Sequence, residues 1–230
     1  MQQADKISKP GSTIHFILPK APLGFPTSAI DCSPCHHIPL LGALYRQRFH
    51  TLCNLIGSRR YGAILDIGFG GGILFPTLSH IAERIIGVDL HDKHANVRNN
   101  LMQCHGIHPL LVRGSAIHLP FKDRSLPAII SLSNLYYLGD QLDHALHEIN
   151  RIAHPDADIY IGTSSRAFYQ LVLRRTAYRN FQTIRKNVFQ SIREHFTVEE
   201  SRTIPSRVPL NMSLFFVADA RLEKGVREPQ

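Results

Sequence analysis

The sequence predicts one α/β domain built on a doubly wound, mostly parallel sheet with helices on both faces. Three observations carry this. From Tyr61 onward, short apolar runs alternate with segments of helical period, the order of a parallel sheet joined by crossover helices. A cluster of glycines, Gly68, Gly70, Gly71 and Gly72, directly follows the first of those runs, where a strand-to-helix turn brings backbone close to a ligand. The run Ala128 to Leu132 is continuous and buried in character, as expected of a strand covered on both faces.

The composition agrees. A chain of 230 residues, 43% of them apolar, suits one domain with an N-terminal extension. No stretch approaches the roughly 18 apolar residues of a membrane-crossing helix, and the start of the chain, to Gly24, holds no apolar run long enough for a signal peptide. A cytoplasmic protein is expected, with Cys32, Cys35, Cys53 and Cys104 as reduced thiols. The formal net charge of +8 favours acidic partners such as nucleic acid, anionic lipid or phosphorylated metabolites and is silent about fold.

In chain order, the stretch before about residue 37 contains Pro10, Pro19, Pro22, Pro26 and Pro34 without helical period, and reads as an extended arm. Leu40, Leu41, Leu44, Leu52, Leu55 and Ile56 then recur at helical spacing, with Arg46 and Arg48 between them, and the helix should stop near Gly57. Ala63 to Ile67 is the first strand, followed by the glycines and a helix to about Ile81. Arg84 to Val88 is the second strand, and Lys93 to Gln103 a polar helix. Pro109 to Val112 and Ala128 to Leu132 are the third and fourth strands. Asp140 to Ala153 is a helix with Leu142, Ala145, Leu146, Ile149 and Ile152 on one face. Asp158 to Gly162 is the fifth strand, and Leu214 to Ala220 the last. There is no internal repeat.

The glycine loop and its flanks narrow the ligand. A dinucleotide-binding G-x-G-x-x-G pattern starts at Gly68 and Gly70 but meets Ile73 instead of a third glycine. Asp66, beside the loop, would repel a pyrophosphate that a helix N-terminus otherwise attracts. The same carboxylate suits a cation, and S-adenosylmethionine carries a sulfonium, an ammonium and no phosphate. Asp89 ends the second strand and can accept hydrogen bonds from both ribose hydroxyls, a role shared with NAD-binding proteins; a plain strand-end cap is the structural alternative.

At this point the sequence resembles the class I S-adenosylmethionine-dependent methyltransferases, most closely the group acting on small molecules and lipids. The family pattern D-x-G-x-G-x-G is met by Asp66, Gly68, Gly70 and Gly72. The family's G-D-A-x-x-L-P-F segment corresponds to Gly114-Ser115-Ala116-Ile117-His118-Leu119-Pro120-Phe121. The likeness continues through Ser131 to Leu138, the helix bearing Glu148 and Arg151, and Pro155. It implies a Rossmann-like sheet of seven strands with the last antiparallel, S-adenosyl-L-methionine as cofactor, and a cofactor site made by Asp66, Gly68, Gly70, Gly72, Asp89, Leu90, Ser115, Ala116 and Ser131. Three positions depart from the pattern. Ser115 stands where an aspartate usually holds the adenine amino group, and a neutral hydroxyl there implies lower affinity. Pro127 replaces an aspartate entering the fourth strand, where proline is tolerated. His154-Pro155-Asp156-Ala157 replaces a more glycine-rich turn.

Other groups weigh less. Cys32-Ser33-Pro34-Cys35-His36 matches the c-type haem attachment pattern, and His37 adds a zinc-ligand type. Without an export signal, and with adjacent histidines at the wrong spacing for zinc, neither haem nor metal is expected there. Tyr136, Tyr137 and His144 are the candidates for a catalytic role; packing alone explains them equally well. Arg166, Arg174, Arg175, Arg179, Arg185, Lys186 and Arg193 lie among apolar residues with no acid between them; a solvated face is the default, and an anionic substrate or membrane surface the sharper alternative.

The expectation is therefore an arm and lid helix over 1–57, a methyltransferase domain over 58–222 and a tail over 223–230. The acceptor should be a small molecule, anionic or lipid-like, methylated at O, N or C. A non-catalytic S-adenosylmethionine-binding protein, an oxidoreductase, and a methyltransferase acting on nucleic acid or protein are the alternatives.

Overall fold

The computed structural model describes residues 14–19, 41–164, 188–204 and 215–222. They form a seven-stranded sheet with helices on both faces. The elements are α1 (Leu41–Ile56), β1 (Tyr61–Ile67), α2 (Phe75–Leu78), β2 (Ala82–Asp89), α3 (His94–His105), β3 (Leu110–Arg113), β4 (Leu126–Leu132), a 3₁₀ helix (Leu135–Gln141), α4 (Leu142–Ile152), β5 (Ala153–Ser164), α5 (Val188–His195), β6 (Thr197–Ile204) and β7 (Phe215–Arg221).

The strand order is β3-β2-β1-β4-β5-β7-β6. Pairings among β1 to β5 are parallel, and β7 runs antiparallel to both of its neighbours, β5 and β6. The apolar strands take the centre. β1 is buried along all but one of its residues, and Ala128 to Leu132 of β4 are buried throughout. α4 closes the sheet with Leu142, Ala145, Leu146, Ile149 and Ile152, the face that the helical spacing picks out.

Three elements differ from the sequence expectation. The helix after the glycines lasts only from Phe75 to Leu78. The Ser79 hydroxyl bonds back to the Pro76 carbonyl at 2.9 Å, and β2 must already begin at Ala82, opposite Tyr61. The helix expected from Asp140 starts instead at Leu142, because Gly139 takes a left-handed φ of 55° and breaks the helix from the 3₁₀ turn before it. The strand β6 has no counterpart in the sequence reading. Pro127 lies in a register irregularity between Leu126 and Ala128, which is how a strand accommodates a residue without an N–H.

The two ends of the sheet are chemically unlike. At the amino ends of the parallel strands, Arg59 donates to the Tyr160 hydroxyl at 2.9 Å and to Asp219 at 3.0 Å. Tyr61 donates to Asp158, and its hydroxyl lies 2.8 Å from that of Tyr160. Arg221 pairs with Asp158 and, at 3.5 Å, with Glu199. At the other end the strand order reverses between β1 and β4, the point of an open α/β sheet beyond whose carboxyl ends ligands bind. α1 reaches toward both ends, with Leu55 accepting from Arg59 and Arg48 meeting Ser133.

Candidate cofactor and acceptor site

Three walls of a candidate site stand at this end of the sheet: the glycine loop leaving β1 with the β4 loop latched to it, the end of β2, and the turn after β3. The first is the glycine loop. Gly68 has φ +77° and lies so close to Asn134 that a Cβ would stand 2.4 Å from its Nδ2. Asn134 in turn donates to the Ile67 carbonyl at 2.6 Å and accepts from the Ser131 hydroxyl. The loop from β4 is thus latched onto the end of β1, and only glycine fits between them. Gly72 is likewise left-handed, at φ +77°, against Val97 and Leu101 of α3.

Two carboxylates flank this loop. Asp66 is 3% exposed. Burial and the nearby Asp89 push its pKa up to about 7. Asp89 is half-buried; its Oδ2 accepts from the Gly70 amide at 2.9 Å and its Oδ1 from the His91 amide at 3.3 Å. Among the described residues neither carboxylate is paired with a cation. A pocket edge of this kind repels phosphate and suits a cationic ligand. A carboxylate held by two amides keeps lone pairs for hydroxyl donors.

The third wall is the turn after β3. The Gly114 amide donates to the Asp89 carbonyl at 3.0 Å. Ser115 is half-buried, and its hydroxyl accepts from the Ile117 amide at 3.4 Å. Ala116 packs at the edge of the core. This segment is pinned from α4. Glu148 accepts from the Leu119 amide at 2.7 Å, and Arg151 donates to the carbonyls of Leu119 and Phe121 at 2.9 and 2.8 Å. The Arg151 guanidinium holds the Glu148 carboxyl below the usual range. Glu148 and Arg151 thus position the Ser115 turn from a distance.

Of the other expected site residues, Ser131 is fully buried at the end of β4, and Leu90 is 63% exposed beside Asp89. Tyr137 is half-buried against the core, with its amide bonded to the Asn134 carbonyl at 3.0 Å. His144 is exposed on α4. The Tyr136 side chain, the Cys32 to His37 cluster and the basic stretch before Val188 lie outside the described residues. The described part of that stretch buries Val188 and Ile192 and exposes Arg193.

Sequence reasoning left several residues without a role. Asn134 was visible only as part of the fourth-strand motif, and His91 not at all. Arg48 was read only as a polar member of α1. It is 9% exposed, and its Nη1 donates to the Ser133 hydroxyl at 2.7 Å. Ser133 itself takes a left-handed φ of 64°, a strained conformation for a residue with a Cβ and one that clusters at functional sites.

The methyltransferase-domain family model matches residues 65–161, the span that contains all three walls. No curated protein matches in sequence. Among solved structures, the N-methyltransferase NodS from Bradyrhizobium japonicum WM9, in complex with S-adenosyl-L-homocysteine, superposes with a TM-score of 0.67 at 16% identity, covering 88% of this chain and 97% of its own. The PH0226 protein from Pyrococcus horikoshii OT3 gives 0.64 at 16% identity, covering 78% and 91%. A SAM dependent methyltransferase from Aquifex aeolicus gives 0.57 at 15% identity, covering 75% and 88%. These likenesses establish the fold, and the family model covers the segment that carries the motifs. Residues 65–161 thus match a methyltransferase domain, set on a fold shared with solved S-adenosylmethionine-dependent methyltransferases.

Proposed function

We propose that this methyltransferase acts on a small-molecule or lipid-like acceptor bearing a negatively charged group, which enters beside Arg48. The observation that carries the reading is the position of Arg48, whose guanidinium meets Ser133 beyond the carboxyl end of β4. Ligands of open α/β sheets bind there, and a guanidinium matches a carboxylate or phosphate in two-pronged geometry.

The proposed cofactor residues are Asp66, Gly68, Gly70, Gly72, Asp89, Leu90, Ser115, Ala116 and Ser131. The positive-φ glycine cradle and the two carboxylates support this assignment. When bound, S-adenosylmethionine supplies an activated methyl group on its sulfonium. The chain's own part is then alignment: the Asn134 latch holds the glycine loop, Glu148 and Arg151 hold the Ser115 turn, and α1 acts as a lid over the acceptor. Alignment of a pre-activated group accounts for much of a methyltransferase's acceleration. A general base is required only for an acceptor that must lose a proton in the transition state, and Tyr136, Tyr137 and His144 are the candidates for that case. Among the described residues no helix is long and apolar enough to cross a membrane, so a lipid-like acceptor would be met at a surface or free in solution.

The test is transfer of labelled methyl from S-adenosylmethionine to a panel of matched anionic and neutral apolar small molecules, lipids, RNA and protein. Anionic apolar acceptors should be preferred, and Arg48→Gln should raise their KM at least tenfold while S-adenosylhomocysteine affinity stays within about twofold, since a charged hydrogen bond is worth about 1.5–3 kcal/mol. Preference for neutral acceptors or for nucleic acid, or cofactor binding without transfer to any member of the panel, would overturn the reading.

A further inference from the structure

His91 belongs to none of the motifs and is one of the residues through which the two cofactor loops touch. Its Nε2 lies 3.0 Å from the Gly70 carbonyl, and its Nδ1 accepts from the Lys93 amide at 3.1 Å. A backbone amide can only donate, so Nδ1 is the lone-pair nitrogen. The proton sits on Nε2 and is donated to Gly70. The neutral Nε2–H form is the one state of the ring that satisfies both bonds.

The same residue is held from its other side. The Gly70 amide donates to Asp89, and Asp89 also accepts from the His91 amide. Gly70, at φ +52°, therefore has both its N–H and its C=O tied to the loop after β2. The ring is buttressed edge-on by Phe69, 5.0 Å between centroids, and lies 4.7 Å from His94 in a tilted stack. His91 is half-buried, and among the described residues its ring hydrogen-bonds only backbone of the two loops.

We infer that His91 is a positioning residue for the cofactor, a clamp that holds the glycine loop closed on Asp89 so that the carboxylate and the loop are in place before the cofactor arrives. This rests on the cofactor assignment made above. A loop already ordered does not lose that freedom on binding, which is how preorganisation raises affinity. Ser115, a neutral hydroxyl at a position where the family usually has a carboxylate, leaves this chain more dependent on the remaining contacts.

The test measures S-adenosylhomocysteine binding by calorimetry for wild type, His91→Ala and His91→Gln, with nitrogen-15 NMR of the wild-type histidine rings. Glutamine can place an amide donor near the Nε2 position, so it should restore the bond to Gly70. His91→Ala should weaken binding about tenfold, equivalent to 1.4 kcal/mol, and His91→Gln should recover to within about threefold of wild type. The His91 ring should show the Nε2–H tautomer with and without ligand. Wild-type binding with His91→Ala unchanged, glutamine no better than alanine, or an Nδ1–H tautomer each overturns the clamp. Failure of the wild-type chain to bind at all overturns the cofactor assignment itself and the clamp with it; unlike the other outcomes, it shows in the wild-type titration alone.

Discussion

The two ends of the sheet use their charged residues in opposite ways. At the amino end, Arg59, Arg221, Asp158 and Asp219 are joined with Tyr61 and Tyr160 into one network of opposite charges and hydroxyls. At the carboxyl end, burial and the nearby Asp89 raise the cost of ionising Asp66, and among the described residues Asp89 accepts hydrogen bonds from backbone amides alone. Charges that complete each other inside the chain hold the fold together. Charges left without a counter-charge mark where a ligand of the opposite sign is expected, because a buried ion is costly until it is paired. Removing a charge should therefore destabilise the first end, and stabilise the second at the expense of binding.

The largest effect is expected at the amino end. Asp219→Ala leaves the Arg59 guanidinium beside two tyrosines and one more distant carboxylate, 3.8 Å away on Asp158. Breaking a buried pair from one side costs about 3–5 kcal/mol, and the low end applies because Arg59 is partly exposed. Urea unfolding should show the loss, while S-adenosylhomocysteine affinity of the folded fraction stays within about twofold. A loss of affinity equal to the loss of stability would mean that the ends are coupled.

Asp89→Ala should do the reverse. Affinity for S-adenosylhomocysteine should fall by about 1.5–3 kcal/mol, the range for hydrogen bonds to a charged group, with a smaller change in unfolding free energy. Tight NAD binding in the same calorimeter, without S-adenosylmethionine binding, would overturn the cofactor assignment.

Asp66→Asn separates the ends by sign. The folded-state pKa of Asp66, about 7, lies above its ordinary value of 3.8. The folded protein therefore binds more protons than the unfolded chain between those values, and stability from this group falls as pH rises through that window. Above about pH 7 the full penalty applies. The asparagine variant should be more stable than wild type at pH 8 by about 1–3 kcal/mol, and the gain should shrink as pH falls toward 4. It should bind S-adenosylmethionine more weakly at pH 8. A variant that is less stable at both pH values would show that the carboxylate is structural.

The smallest effect concerns α1, which reaches toward both ends. Cys53 is buried, and burial pushes its thiol pKa up to about 12; Cys104 is exposed on α3. Thiolate is the reactive form, so iodoacetamide should label Cys104 readily and Cys53 only as α1 opens. Peptide mass mapping with and without S-adenosylhomocysteine reads this. Slower Cys53 labelling in the presence of ligand supports a lid; a rate tied only to global unfolding makes α1 a fixed part of the core.

What could be read from the sequence divides along the range of the forces involved. Strands β1 and β4, helix α4 and the glycine loop were legible, because burial on both faces, a helical apolar stripe and a positive-φ turn each leave a local pattern. The edge strand β6, Thr-Val-Glu-Glu-Ser-Arg-Thr-Ile, was not legible, because its residues are mostly exposed and carry no apolar alternation. Helix α2 is shorter than its sequence suggests, since helical composition near Pro76 says nothing about where β2 must pair with β1. In the candidate site, Asp66, Gly68, Gly70 and Asp89 follow one another within a single strand–loop–strand unit, so their spacing alone marks them. Tertiary structure decided the rest. The Gly68–Asn134 latch, the Arg48–Ser133 contact and the Arg59–Asp219 pair join residues that stand 66, 85 and 160 positions apart. Each depends on which strands lie side by side, and hydrogen bonds between polar side chains at such separations leave no periodic trace in the chain that makes them.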